Sequence, residues 1–189
     1  MHYTKQNSLP PDNAHQIPYW QEPVQRNMSG NKGILFGAGQ IHFRAKYNLT
    51  ARVLGKKYYE DGKYGRIAPL DLALGWKYMA EPQIYKDMTF INDDRQYFFS
   101  GKASIPTQQV YLNSANVHII PATEDVWKEL VALKKENIVT LGGYLVDYNE
   151  RTHSNSFVQT WEINTSLTRS DRGKDSCEII YVTDIKIEQ

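Results

Sequence analysis

The sequence predicts a mainly β fold with one packed α-helix: a small OB-like, partly open β-barrel, with a sandwich-like α+β domain as the alternative. Three observations predict it. Residues Ile41–Tyr59 alternate apolar and polar side chains over a length that suits a bent barrel strand. Residues 123–135 carry one capped amphipathic helix, and residues 138–148 form a strand interrupted by Gly142-Gly143. Strands, then a helix, then further strands is the element order of an OB-type barrel.

Size and composition bound the rest. At 189 residues the chain fits one domain with a tail, long enough to bury a core. Residues 1–32, rich in Pro, Asn, Gln and Ser, read as an extended N-terminal arm pinned by Tyr19 and Trp20, and residues 33–189 as a single β-rich domain. The 13 tyrosines favour β structure. A net charge of +1 gives no global electrostatic drive toward nucleic acid or an acidic membrane. Cys177 is the only cysteine, which excludes an intrachain disulfide and a thiolate zinc site. No run approaches the roughly 18 apolar residues of a membrane span. Residues 1–20 lack the apolar stretch of a secretory signal, so the chain as written is expected to be soluble.

The elements follow in order. In the first long strand Tyr47, Leu49, Ala51 and Val53 share a face. Glu60-Asp61-Gly62-Lys63 has the Asp-Gly signal of a tight hairpin turn. Pro69–Leu74 reads as a short helix with Asp71 in its first turn, stopped by Gly75, after which Trp76 and Tyr78 return to the core. Asp87–Ile91 and Gln96–Ser100 flank a turn at Asn92-Asp93-Asp94-Arg95, and Val117–Ile120 is a short strand closed by Pro121. Thr123 caps the helix, Glu124 and Asp125 occupy its first turn, and Lys134 and Lys135 its last, with Asn137 as the left-handed stop. Val126, Leu130 and Leu133 form its apolar stripe. Ile138–Tyr148 pairs with Ser156–Ile163, and Ser176–Glu188 closes the chain, with Cys177, Ile179, Tyr181, Ile185 and Ile187 on one face.

Candidate chemistry is sparse. Ser114, Asn116 and His118 are close in sequence, yet four strand residues span roughly 13 Å at about 3.3 Å each, beyond reach for a serine and its base. They remain the first part of a candidate ligand site, with Arg169 and Asp171 of the charged loop 167–175 as the second. His42, His118 and His153 lack metal-ligand spacing, so neither a metal site nor a cofactor is implied. Asp93-Asp94 and Asp147 with Glu150 are carboxylate pairs in or beside turns, where such residues are common. The hairpin segment 52–66 interleaves Arg52, Lys56, Lys57, Lys63 and Arg66 with Tyr58, Tyr59 and Tyr64, a composition that suits single-stranded nucleic acid. Cys177 reads as a buried, inert thiol.

Four segments carry a resemblance: Glu22-Pro23-Val24-Gln25, residues 68–76 (APLDLALGW), residues 114–122 (SANVHIIPA), and Ser166-Leu167-Thr168-Arg169 leading to Cys177-Glu178. Together they resemble a family of uncharacterised bacterial proteins that often carry an N-terminal membrane-spanning helix. The resemblance implies a bacterial origin and an envelope location with a protein partner there, or a cytoplasmic one if no anchor or signal was removed. It supplies no catalytic residue. The chain departs from the pattern at Lys77-Tyr78 and Asp175-Ser176 and in having no membrane helix. The expected function is a binding or accessory module of unknown ligand. The alternatives are a hydrolase using His118 with a serine or carboxylate, and single-stranded nucleic acid binding through residues 52–66.

Overall fold

The computed structural model describes residues 17–30, 32–154, 157–168 and 176–188. In chain order the elements are β1 (Val24–Asn27), β2 (Gly33–Phe36), β3 (Gly39–Tyr58), α1 (Gly62–Ile67), β4 (Leu70–Gly75), a 3-10 turn (Lys77–Ala80), α2 (Pro82–Tyr85), β5 (Met88–Asp93) and β6 (Gln96–Gly101). They continue with α3 (Thr107–Leu112), β7 (Ser114–Pro121), α4 (Glu124–Ala132), β8 (Ile138–Ser154), β9 (Phe157–Ile163) and β10 (Glu178–Glu188).

The main sheet closes on itself. β3 pairs with β4, β4 with β7, β7 with β10, β10 with β8, and β8 again with β3, so five strands form a ring. Numbering those five along the chain, the ring runs first, second, third, fifth, fourth. The third and fifth, β7 and β10, are parallel and every other pair in the ring is antiparallel. α4 lies in the connection between the third and the fourth. β1 and β2 extend one edge of β3, and β9 pairs with the far half of β8. β5 and β6 form a separate two-stranded sheet inserted between β4 and β7.

Three apolar clusters hold this arrangement. The ring interior contains Tyr47, Leu49, Leu70, Leu72, Leu74, Val117, Ile119, Leu141, Leu145 and Ile180, plugged by Val126, Leu130 and Leu133 of α4. A second, around Ile41, Phe43, Tyr144, Val146, Tyr148 and Tyr181, is covered by Ile34, Phe36, Tyr64, Ile67 and Trp161. The third joins Leu54 and Ala73 to Met88 and Phe90 of the inserted sheet and to Val110 of α3. β3 reaches all three because its register shifts at Phe43/Ala45 and at Val53/Gly55, and a one-residue bulge turns the following side chains to the other face.

Several expectations are corrected. Pro69–Leu74 is not a helix: Leu70–Gly75 is a strand, buried along its whole length. Its neighbours cover both faces, so the apolar run lacks the alternation of a half-exposed strand and mimics a buried helix turn. Residues 60–63 do not make a tight turn, because α1 starts at Gly62, whose φ of 77° suits glycine. Trp76 is buried, whereas Tyr78 is exposed. The one expected packed helix, α4, is joined by three short helices, α1, α2 and α3, that the sequence reading does not contain. α4 ends at Ala132, before Lys134 and Lys135, and the left-handed residue is Glu136, with Asn137 bonding the Lys134 amide through its side chain at 2.8 Å. On β10 the register shifts between Val182 and Asp184, so Ile179 and Tyr181 face the second cluster while Ile185 and Ile187 face the ring interior.

Candidate functional site

Strand alternation creates a polar row. Leu70, Leu72 and Leu74 of β4 and Val117 and Ile119 of β7 point into the ring. Asp71 on β4 and Ser114, Asn116 and His118 on β7 therefore point out, beneath the inserted β5–β6 sheet. The insert engages the whole row. Ser114 Oγ donates to the Val110 carbonyl at 2.6 Å and lies 2.9 Å from the Tyr97 hydroxyl. Asn92 Nδ2 donates to Asn116 Oδ1 at 2.7 Å, and Asn116 Nδ2 donates to the Arg95 carbonyl at 3.1 Å. Burial pushes Tyr97 up to about 12, opposed by the Ser114 hydrogen bond.

The row ends in a buried ionic cluster. Asp71 is 0 % exposed, and its Oδ1 lies 2.8 Å from His118 Nδ1 and 3.0 Å from Arg95 Nη1. Asp71 Oδ2 is buried with no hydrogen-bond partner among the described residues. Arg95 also donates to the Ala68 carbonyl at 2.8 Å, and its guanidinium lies 3.6 Å from the Tyr59 ring centre and 4.3 Å from that of Tyr64. Asp94 and Arg95 form the two-residue hairpin turn with φ of 45° and 64°, values that favour Asn-Gly. An arginine there costs about 1–2 kcal/mol of backbone energy. Its salt bridge, hydrogen bonds and two cation–π contacts offset that cost. Tyr64 closes the cluster, its ring centre 5.3 Å from that of His118 in an edge-on arrangement, and burial pushes its hydroxyl well above the usual tyrosine range.

A carboxylate oriented on an imidazole is the geometry of a general base. Ser114 is not placed as its nucleophile. His118 is 4 % exposed and Ser114 is committed to Val110 and Tyr97, so the expected separation of serine and histidine holds. Of the five expected ligand-site residues, Ser114, Asn116 and His118 share one buried face, while Arg169 and Asp171 lie outside the described residues. Asp71 and Arg95 are the functional-type residues that sequence reasoning missed. The available signal was one charged residue inside the otherwise apolar run 70–74.

The remaining candidates disperse. Arg52 bonds the carbonyls of Ala80 and Glu136, and Lys56 those of Leu130, Val131 and Leu133 at the end of α4. Lys57 pairs with Asp93, Lys63 with Glu150, and Tyr58 donates to the Val131 carbonyl. Tyr59 and Tyr64 hold Arg95, and Tyr58, Tyr59, Lys63 and Arg66 line the cleft described next. Asp147 is bonded to Arg44, so each expected carboxylate pair has at least one member held in an ion pair. His42 bonds Asn149, and the His153 side chain lies outside the described residues. No group of three or more metal-ligating side chains occurs among the described residues. Cys177 is partly exposed beside the polar row, its thiol 3.7 Å from the Arg95 carbonyl, and not in the apolar setting expected.

The open concavity lies on the other side of α1. It is a cleft of about 960 Å³ between the β2–β3 hairpin, α1, the start of α4 and β8. Ile34, Phe36, Ile67, Trp127, Tyr148 and Tyr181 supply apolar and aromatic walls. Four carboxylates (Glu60, Glu124, Asp125, Glu150) face two cations (Lys63, Arg66). Lys63 bridges Glu150 at 3.0 Å and lies 4.9 Å from the Trp161 ring centre. Burial pushes Tyr181 up to about 12; burial and the Glu150 charge do the same to Tyr148. Comparison with protein-family models, with curated proteins and with solved structures found no match.

Proposed function

We propose that this chain is a binding module built on an OB-type barrel, with the cleft beside α1 as its ligand site. The barrel reading draws on the ring order, the parallel third and fifth strands, and a helix between the third and fourth. One observation carries the binding reading. The cleft is open and large, with apolar aromatic walls and a few charged groups, which is the composition of ligand sites. The polar row, in contrast, is filled by the chain's own β5–β6 insert. The family resemblance adds a bacterial, envelope-associated setting in which the ligand belongs to a protein partner. A fragment and peptide library screened against the wild type and against Ala122→Trp, which fills the cleft, tests this. Hits whose affinity falls at least ten-fold in the variant support the reading. Absence of hits, or hits indifferent to the substitution, rejects it.

A second reading, a hydrolase in which His118 acts with a carboxylate, rests on the 2.8 Å contact between His118 Nδ1 and Asp71. It requires Tyr64, whose ring packs against the imidazole, to withdraw. Hydrolysis of an ester panel, lost in both His118→Gln and Asp71→Asn while the fold persists, supports it. An inactive wild type removes it.

A further inference from the structure

β2 forms one wall of the cleft and, among the described residues, pairs with β3 alone, along one edge. The hydrogen-bond phase of that pairing says which way its backbone points. Phe43 donates to the Lys32 carbonyl at 2.9 Å, and the register continues Gly33↔His42, Ile34↔Ile41, Leu35↔Gln40, Phe36↔Gly39. In an antiparallel ladder, directly opposed pairs alternate between hydrogen-bonded and non-hydrogen-bonded. Lys32/Phe43 is a bonded pair, so Ile34/Ile41 and Phe36/Gly39 are bonded too, and Gly33 and Leu35 turn their amide and carbonyl groups away from β3. Ile34 and Phe36 pack on the second apolar cluster, whereas Leu35 is 73 % exposed. An exposed edge strand with outward backbone groups is a template for another strand unless it is blunted. No lysine, proline or bulge blunts this one between Gly33 and Phe36.

We propose that the cleft binds an extended peptide segment of a protein partner, which adds as a strand to the free edge of β2. The central contact is the outward amide and carbonyl of Leu35. The inference rests on the reading of the cleft as the ligand site and names its ligand class. Strand addition draws affinity from main-chain hydrogen bonds and specificity from pockets that accept alternate side chains. Here the aromatic walls formed by Trp127, Tyr148 and Tyr181 take apolar side chains. The charge balance selects their flanks: with Lys63 paired to Glu150, and Lys128 lying 3.4 Å from Glu124 and 3.2 Å from Asp125, the carboxylates of Glu60, Glu124 and Asp125 still outnumber Lys128 and Arg66 by one. The segment therefore carries a lysine or arginine beside its apolar residues.

The test uses the full chain and a displayed library of random linear peptides, followed by titration of the selected synthetic peptides. The expected selection is of apolar residues at alternate positions flanked by a basic one. Leu35→Pro removes the outward amide without touching a bond to β3, and it is expected to weaken binding at least ten-fold. Methylating the peptide's own backbone nitrogens one at a time is the companion measurement, which needs no protein variant. Strand addition requires at least ten-fold losses at alternating nitrogens only. Peptides that lose affinity in Ala122→Trp but tolerate both Leu35→Pro and every N-methyl group leave the cleft as the site and overturn strand addition. Peptides indifferent to Ala122→Trp overturn the cleft itself, and a selection that returns no peptide while other ligands bind overturns the peptide class.

Discussion

Asp71 shows how one residue can organise the surface around it. Its carboxylate is fully buried, and the Arg95 guanidinium and the His118 imidazole converge on a single oxygen. Removing one partner of such a pair leaves a charge without compensation in a poorly solvated place, at a cost of about 3–5 kcal/mol. Arg95→Ala is therefore expected to lower unfolding stability in urea by about that amount, and a loss under about 1 kcal/mol contradicts the assignment. A second prediction concerns alkaline pH. Tyr97, Tyr148 and Tyr181 are held protonated up to about 12 by burial, against an ordinary value of 10.0. Between those values the unfolded chain has released the protons that the folded chain retains, so stability falls as pH rises. The contribution is complete below pH 10.0 and is lost as pH climbs through about 12. Tyrosinate absorbance should show a late titrating group, and the urea midpoint should drop across the same window. The sequence exposed little of this. Ser114, Asn116 and His118 were recognisable as a polar set, but their partners come from a turn about 20 residues earlier and from a strand that reads as a helix. A charge within an apolar run marks a buried ion pair without naming its partner.

α4 illustrates what short-range chemistry reveals at the scale of an element. Thr123, two acidic residues and an apolar stripe predict its start and its buried face, and the Thr123 hydroxyl does accept the Val126 amide at 3.2 Å. Thr123→Ala is expected to cost about 1 kcal/mol. The end of the helix was less legible. Its last carbonyls are taken by the ammonium of Lys56, which β3 delivers from more than 70 residues away, and burial lowers the affinity of that amine for its proton. Hydrogen bonds from a charged donor contribute about 1.5–3 kcal/mol. Lys56→Met keeps the packing stem, so it isolates those bonds. Denaturant unfolding should show a loss in that range, larger than that from Thr123→Ala, and equal stability to wild type would refute the capping role. β4 failed as an element for the opposite reason. A strand covered on both faces has no alternation to read, and Asp71 and Gly75 supplied false helix signals.

The whole molecule depends on where strands change face. The long first strand, the strand through Gly142-Gly143 and the capped helix α4 were legible, and they constrain the mainly β class, although β8 runs unbroken through both glycines and α4 is one of four helices among the described residues. The closed ring was not, because closure rests on register shifts at Phe43/Ala45, Val53/Gly55 and Val182/Asp184 that leave no period in the sequence. Gly143 sits opposite the last of these, where a Cβ would run into the carbonyl oxygen of Tyr181. Gly143→Ala is expected to destabilise the chain by about 1–3 kcal/mol through that overlap. Unchanged thermal stability would show that β8 and β10 have room to separate there. The same topology separates the two candidate sites, since α1 turns Tyr64 toward the buried ionic cluster and Lys63, Arg66 and Ile67 toward the open cleft. The most direct measurement is a backbone-amide NMR map of the wild-type chain titrated with the tightest library ligand. Shifts concentrated at Gly37, Ile67, Thr123 and Tyr148 are the predicted result. Shifts concentrated at Arg95, Ser114 and Asn116, with the cleft amides still, would contradict it.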